Sequence, residues 1–444
     1  GKLFADLGIG ANVAGAQQLK ANTGISSNGV MLAGSGFIVT REQAKALGYP
    51  NHPDITEVIR EYRNGRDLTQ SPRDVMVIDL FGLSANEARD RFPAVYQWVA
   101  ERVKPERDNN RRKKLKENWW LFGEPRVTWR AVSENLTKYI TTVETTKHRL
   151  FFFLNSSILP DHKLVNIALG SADCFGVLSS RLHLSWAFAK GSTLEDRPVY
   201  PKTQCFETFP FPDLTNAQAR TIGDLAERID AHRKRQQAAH PELTLTSMYN
   251  VLEKLRTGEP LTKKEQATHE QGLVSVLREL HDDLDRTVFA AYGWDDLADT
   301  LVGRPGATTP LPDKPAEQSQ AEEELLTRLV DLNTRRAAEE ARGIVRWLRP
   351  DYQAPDATQT GADLEQAEVT ETAVAAPAEK KPTFPKDMAK QIEAIREALA
   401  TGPQDTETLA ARFKRKPVKA VTQVVNALAA LGLIHEEQDR WQTG

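Results

Sequence analysis

Apolar positions fall into two regimes along the chain, and the change comes near residue 213. Before it, short apolar runs alternate with helical spacing. "DVMVIDLFGL" (74–83), "KYITTVET" (138–145), "RLFFFLN" (149–155) and "KLVNIALG" (163–170) predict strands. "TREQAKALG" (40–48) predicts a short helix, with Thr40 and Gln43 as a capping box and Gly48 at its stop. Phe175, Leu178, Leu182, Trp186 and Ala189 recur at helical spacing up to Gly191, which predicts one helix. After Pro212 the strand pattern stops. Ile222, Leu225 and Ile229 mark one amphipathic helix. Leu273, Val276, Leu277, Leu280, Leu284 and Val288 mark a longer one, and a third is expected over about 319–348.

Between these regimes stands "YPKTQCFETFPFPD" (200–213), with three phenylalanines and three prolines. A residue before proline is pushed out of the helical region, and proline has no N–H to give a sheet. Phe209-Pro210-Phe211-Pro212 is therefore expected to be an extended segment that closes a core with its rings. A second break covers residues 351–386, rich in Ala, Thr, Pro, Asp and Glu, which reads as a linker. Beyond it, Met388, Ile392, Ile395 and Leu399 predict a helix. "DTETLAARF" (405–413) predicts a second, and "PVKAVTQVVNALAALG" (417–432) a third. "LIHEEQDRWQ" (433–442) predicts a hairpin. Three helices and a hairpin suggest a winged helix. The expected fold class is thus an α/β (α+β) domain over 1–213, an all-α tail over 214–350, a linker over 351–386 and a small winged-helix-like domain over 387–444.

Composition changes this picture little. The 444 residues carry a net charge of −3, so any basic surface has to be local. Two cysteines, Cys174 and Cys205, form no CxxC pair, and His148, His162 and His183 show no metal-ligand spacing. No apolar run reaches membrane-spanning length, so no membrane partner is expected and the chain is placed in the cytoplasm. The start "GKLFADLGIG" reads as the middle of a domain, which suggests a preceding portion.

Charge becomes informative at two places. "REYRNGRDL" (60–68) sets Arg60, Arg63 and Arg66 around Asn64-Gly65, where a tight turn is expected. Guanidiniums beside a turn can grip phosphates or a base edge; solvated loop charge is the alternative. From Arg102 to Lys116 there are eight cations (Arg102, Lys104, Arg107, Arg111, Arg112, Lys113, Lys114, Lys116) against Glu106 and Asp108, a local charge of 8 − 2 = +6. Trp119, Trp120, Arg126, Trp129 and Arg130 follow. Cations here can contact phosphates while the indoles anchor the segment; a solvated helix face is the alternative. Asp79, inside an apolar strand pattern, is the most conspicuous acid.

Several chemistries find no support. "MLAGSGFIV" (31–39) has its glycines before the strand, whereas a phosphate or methyl-donor loop has them after it, so a turn leading into a strand is expected. Ser179 and Ser180 lie in a helical pattern and not in a nucleophile elbow. No Pro-Pro dipeptide occurs, so an Asp/Asn-Pro-Pro-aromatic loop that holds a flipped adenine is absent from these 444 residues. No catalytic residue and no metal ligand is assigned.

"RNGRDL", "VMVIDLFGLSANEARDRFPAVYQWVAERVKPERDNNRR", "NWWLFGEPR", "YITTVETTKHRLFFFLNSSILPD", "FGVLSSRLH" and "YPKTQCFETFPFPD" together resemble the target-recognition region of large bacterial adenine-specific DNA methyltransferases. These are the MmeI-like single-chain enzymes of type IIG restriction-modification and DISARM-like phage defence. "LDRTVFAAYGWDDL" (284–297) and "LVDLNTRRAAEEARGIVRWLRPDYQ" (329–353) resemble the helical tail of the same family. The resemblance implies double-stranded DNA as partner, and S-adenosylmethionine for the complete enzyme but no cofactor bound by these residues. The catalytic half would be a separate or upstream methyltransferase domain. The expected DNA contacts are Arg60, Arg63, Asn64 and Arg66, the eight cations of 102–116, and Arg126, Lys147, Arg149 and Lys202. The alternative readings are a protein-interaction subunit of a defence complex, or a gene remnant without function.

Overall fold

A computed structural model describes residues 11–355 and, nearer the C-terminus, 391, 394–395, 398–399, 404–413, 417–430, 434–437 and 440–443. The chain divides into two compact units, Gly1–Leu364 and Glu365–Gly444.

The first unit contains two four-stranded sheets. One is built from β2 (Ile38–Thr40), β3 (Ile59–Arg63), β4 (Val75–Ile78) and β7 (Leu159–Pro160), in the order β2-β4-β3-β7. The other is built from β1 (Ser26–Asn28), β5 (Lys138–Val143), β6 (Phe151–Asn155) and β8 (Leu164–Ile167), in the order β1-β8-β5-β6. The four apolar runs named above supply β4, β5, β6 and β8. All pairings are antiparallel except β3 with β7. The chain thus leaves the second sheet after β6, adds β7 to the first, and returns as β8. That excursion stitches two lobes together, each with its own core. Phe37, Val39, Ile59, Met76, Val77, Phe92, Val99 and Trp119 fill the first. Ile140, Phe151, Phe153, Leu164, Phe175, Trp186 and Phe209 belong to the second.

The second core does not stop at residue 213. It continues through Ile222, Leu225, Met248, Leu277, Leu284, Val288 and Leu329 of the tail helices. The helix Asn216–Ala239 packs on the helix Ala172–Ser179, where a Cβ at Gly176 would meet Ile222 Cγ2 at 2.4 Å. The boundary expected at 213 is therefore a change of secondary structure and not a break in packing. The Phe-Pro segment explains why. Phe206 and Phe209 are fully buried. The carbonyls of this segment have no sheet partner, so side chains satisfy them. Asn22 Nδ2 donates to the Phe206 and Phe209 carbonyls (2.8 and 2.7 Å), Asn333 Nδ2 to Thr208 (2.7 Å), and the Tyr292 hydroxyl to Pro210 (2.8 Å). The segment is the seam that joins the sheets to the tail.

Other expectations are met or corrected locally. Thr40 Oγ1 accepts from the Gln43 amide (3.2 Å), and Gln43 Oε1 accepts from the Thr40 amide (2.9 Å), so the capping box of Arg41–Ala46 is present. The single helix expected through Phe175 and Trp186 is two, Ala172–Ser179 and Arg181–Lys190, because Ser180 is extended (ψ 153°). Arg181 is the reason: its buried guanidinium donates to the Arg304 carbonyl (2.6 Å), and its amide donates to Asp285 Oδ1 (2.7 Å). Leu273 and Val276 do not join the core. Leu273 is a left-handed break between Lys263–Gly272 and Val274–Tyr292, and both side chains are exposed. The helix expected over 319–348 runs over Ala316–Ala341.

In the second unit the helices Thr406–Ala411 and Val418–Ala430 precede a hairpin of the strands Ile434–Glu437 and Arg440–Thr443. Residues 391, 394–395 and 398–399 are also helical. Ile395, Leu399, Leu409, Val421, Val425, Leu428 and Ile434 form its core. Met388, Ile392 and the linker beyond residue 355 lie outside the described residues. No described helix is long and apolar enough to cross a membrane.

Candidate nucleic-acid interface

The basic segment consists of two short pieces with different fates. Val103 and Arg107 bury the first piece, Lys104–Asp108. Arg107 is wholly buried and donates to the Leu32 and Leu121 carbonyls (2.9 and 3.2 Å), with its pKa lowered by burial. It is a strut of the first lobe and is withdrawn as a DNA contact. Lys104 pairs with Asp108 (2.6 Å), and Arg102 lies over the Trp98 ring (3.5 Å) beside Glu101. The second piece, Lys113–Glu117, buries Leu115 alone. Arg111, Arg112, Lys113, Lys114 and Lys116 all point to solvent. Lys113 has Glu117 at 3.5 Å; among the described residues no side-chain partner holds the other four. Trp119 enters the core, and Trp120 Nε1 donates to the Leu83 carbonyl (2.9 Å), so the segment is anchored at its C-terminal end.

The Asn64-Gly65 turn is a helix start instead. Asn64 caps Gly65–Thr69 through a capping box with Asp67. Asp67 in turn takes a bidentate grip from Arg73 (2.9 and 2.7 Å). Arg63 is mostly buried and bonds Glu61 (3.3 Å), whereas Arg66 is exposed and unpartnered among the described residues. Only Arg66 of this group is free to reach a ligand.

Four further expected contacts are committed elsewhere. Arg149 is fully buried and donates to Thr142 Oγ1 (3.0 Å) and to the carbonyls of Val143, Glu144 and Pro198. Burial pushes its pKa down to about 10. It fastens the turn between β5 and β6, and it too is withdrawn as a DNA contact. Lys147 Nζ donates to Asn250 (2.7 Å), Lys202 pairs with Glu207 (3.0 Å), and Arg126 donates to the Gly29 carbonyl (3.2 Å). Lys147, though exposed, tethers the β5–β6 turn to the tail.

A cleft of roughly 470 Å³ lies between the two sheets, where β3, the 80–84 loop, the helix Val127–Ser133 and β5 meet. Two of its lining residues, Arg60 and Arg130, bear on Asp79, a nearly buried carboxylate that Arg130 grips through both terminal nitrogens (2.8 and 3.1 Å). Arg60 stands 3.9 Å from the same carboxylate and donates to the Ser156 and Ser157 carbonyls (2.9 and 3.1 Å). Burial lowers the Arg60 pKa, and Asp79 opposes that. Arg130 covers the Phe81 ring at 4.3 Å, and Phe81 remains 38 % exposed. Arg130 was passed over in the sequence because it stands outside the dense run of cations; its spacing from Asp79 carries no signal.

The glycines of 31–39 make no cofactor cradle. Gly34 leads into a 3-10 turn, Ser35–Phe37, and then β2. A Cβ at Gly36 would lie 2.7 Å from the Arg102 carbonyl oxygen, so this glycine serves close packing against the helix Pro93–Arg102. Among the described residues no cluster of three or more His, Cys, Asp or Glu side chains could hold a metal ion.

Comparison with known proteins agrees with this anatomy. Residues 16–213 match the family model described as "MmeI, target recognition domain". No curated protein matches the chain. Among solved structures, the Type IIL restriction-modification enzyme MmeI, determined in complex with DNA, is similar in fold. Its TM-score is 0.52 at 19 % identity, over 75 % of this chain and 38 % of that one. The present chain thus spans well under half the length of that enzyme, and the likeness reaches past residue 213 into the tail. Residues 16–213 are similar to the MmeI target-recognition domain, and the likeness in fold to the MmeI structure agrees with this.

Proposed function

We propose that this chain recognises a specific sequence in duplex DNA on behalf of a restriction-modification or phage-defence methyltransferase. The observation that carries the reading is the exposed run Arg111–Lys116 on a region that matches a target-recognition family. Solvent-facing cations fixed by one buried leucine and two anchored indoles are suited to phosphate contact, which positions a protein without reading sequence. The exposed Arg66 is the proposed base-edge contact. The complete enzyme uses S-adenosylmethionine on a methyltransferase domain, separate or continuous with this chain, and acts on adenine in the cytoplasm. The C-terminal unit is a winged-helix-like accessory. Lys414, Arg415 and Lys416, its most basic stretch, lie outside the described residues.

Binding-site selection from a random duplex pool tests this. One preferred sequence is expected, and Arg66→Ala should relax a single base pair by roughly 1–3 kcal/mol. Equal binding to all duplexes at every salt concentration would refute sequence recognition.

A further inference from the structure

The helix Ala316–Ala341 is followed by Gly343 at φ +93°, a left-handed turn that suits glycine. Residues 343–353 then run back over the first unit as a strap that ends in the single turn Pro350–Gln353. Among the described residues the strap pairs with no strand. Leu348 is partly buried against the second core, but Ile344 and Tyr352 are exposed. A cavity of about 270 Å³ separates Ile344 and Trp347 of the strap from Leu19, Phe211 and Leu214. The polar fastenings are light. Arg346 pairs with Asp213 (3.0 Å) and with Glu339, and Arg346 and Asp213 are both exposed, where salt screens such pairs. The Leu348 amide donates to the Ala21 carbonyl at 3.4 Å, which is long for such a bond. Gln353 Nε2 donates to the Ala21 and Thr23 carbonyls (2.9 and 3.0 Å).

The strap touches two elements that depend on it differently. Residues 17–21 are held without it. Asn333 exchanges two bonds with the Gln17 backbone (2.9 and 2.8 Å), and Glu340 accepts from the Lys20 and Ala21 amides (2.6 and 2.9 Å). The helix Val127–Ser133 is only seven residues long, too short to be stable by itself. Trp129 and Val132 root its inner face, and Arg349 of the strap donates to the Val132 carbonyl in its last turn. A cation there satisfies a carbonyl that the helix leaves open and opposes the helix dipole. The same helix carries Arg130, whose grip on Asp79 joins the two lobes.

We propose that residues 343–353 form a releasable strap. Seated, it caps the helix Val127–Ser133 and steadies the Arg130–Asp79 joint between the lobes. Lifted, it uncaps that helix, loosens the joint and opens the groove beside Phe211, while residues 17–21 stay in place. Its consequence for DNA rests on recognition by the chain; the conformational step does not.

Hydrogen exchange followed by mass spectrometry on the full chain tests this. Residues 343–353 should exchange faster than the helix Asn216–Ala239, and faster still at high salt, by local opening and not by global unfolding. Arg346→Gln combined with Gln353→Ala should speed exchange in 343–353 and in 127–133 roughly tenfold. Residues 17–21 and the strand Lys138–Val143 should keep their rates, and the urea midpoint should hold. The same variant should bind the selected duplex roughly two- to fivefold more weakly with an unchanged salt slope, which separates a loosened joint from a lost phosphate contact. Exchange of 343–353 only at the rate of global unfolding, or a 127–133 helix indifferent to the variant, overturns the proposal. Faster exchange with unchanged affinity overturns its link to recognition. If the native chain binds no duplex, the proposed function fails and the exchange rates alone decide the strap.

Discussion

The run Arg111–Lys116 and the interior around Arg149 carry the same kinds of side chain and use them in opposite ways. In the run, one buried leucine fixes a short helix and the cations are left to solvent. Around Arg149 a single buried guanidinium donates to a hydroxyl and three carbonyls. Arg107, Arg181 and Arg233 repeat the second pattern. Arg233 donates to the Phe151 carbonyl (2.9 Å) and the Tyr249 hydroxyl (2.7 Å), joining a strand to two tail helices. A guanidinium has five donors in a rigid fork, so it can close several backbone gaps at once. The difference teaches that arginine density does not identify a ligand surface. What matters is whether the donors are already spent.

The largest expected effect tests the spent arginines. Arg149→Met removes four buried hydrogen bonds from a charged donor, so the folded chain should lose roughly 3 kcal/mol or more. Urea unfolding should show a lower midpoint with an unchanged slope. A midpoint equal to that of the native sequence would erase the contrast with the exposed run.

Next comes the run itself. Changing Arg111, Arg112, Lys113 and Lys114 together to Gln should leave the urea midpoint in place. It should weaken binding to selected and unrelated duplexes by similar factors. The slope of log affinity against log salt should shrink by about two to four units, at roughly 0.9 per lost phosphate contact. Anisotropy titrations at several salt concentrations measure this. An unchanged slope would reduce the run to a solvated helix face.

The interior also makes a pH prediction. His148, His183, His232 and His281 are buried, and burial lowers the pKa of each, that of His183 to about 3. Below about pH 6.5 the unfolded chain takes up protons that these folded histidines refuse. Stability is therefore full above that pH and falls on acidification, by up to about 1.4 kcal/mol per pH unit for each histidine that stays neutral. Asp285 has the opposite sign. Burial raises its pKa to about 6, so its contribution is lost as pH rises through 6. One group against four leaves a net loss on going from pH 7 to pH 5. A urea midpoint that holds or rises over that interval would contradict the neutral histidines.

The smallest effect sharpens the exposed side of the comparison. Glu117→Gln removes the only acid paired with the run among the described residues, an i,i+4 partner of Lys113 at the surface. Such pairs contribute about 0.3–0.5 kcal/mol, so thermal stability should hardly move. DNA binding should strengthen slightly at low salt and not at high salt. A weaker complex at low salt would mean that Glu117 positions the run.

Much of this was legible in the sequence, for identifiable reasons. β4, β5, β6 and β8 follow from apolar runs, because a strand buried on both faces needs them. The Thr40 cap follows from a spacing of three that the helix itself imposes. The Phe-Pro segment follows from the forbidden geometry of proline. These are local constraints, set by residues within a few positions of one another. The density of cations over 102–116 was also readable, since only Glu106 and Asp108 oppose it within the segment. What the sequence could not say is which cations are free. Arg107 and Lys114 look alike in the chain, yet one turns inward to the Leu32 carbonyl and the other faces water. Arg130 and Asp79 stand 51 positions apart, and only the crossing of the two sheets brings them to 2.8 Å. The tail at Ile222 shares a core with Phe175 although its pattern looked like that of a separate domain. Sequence fixes what each segment must bury. Tertiary packing chooses which partner it buries against, because a buried donor bonds whichever acceptor the fold brings within reach.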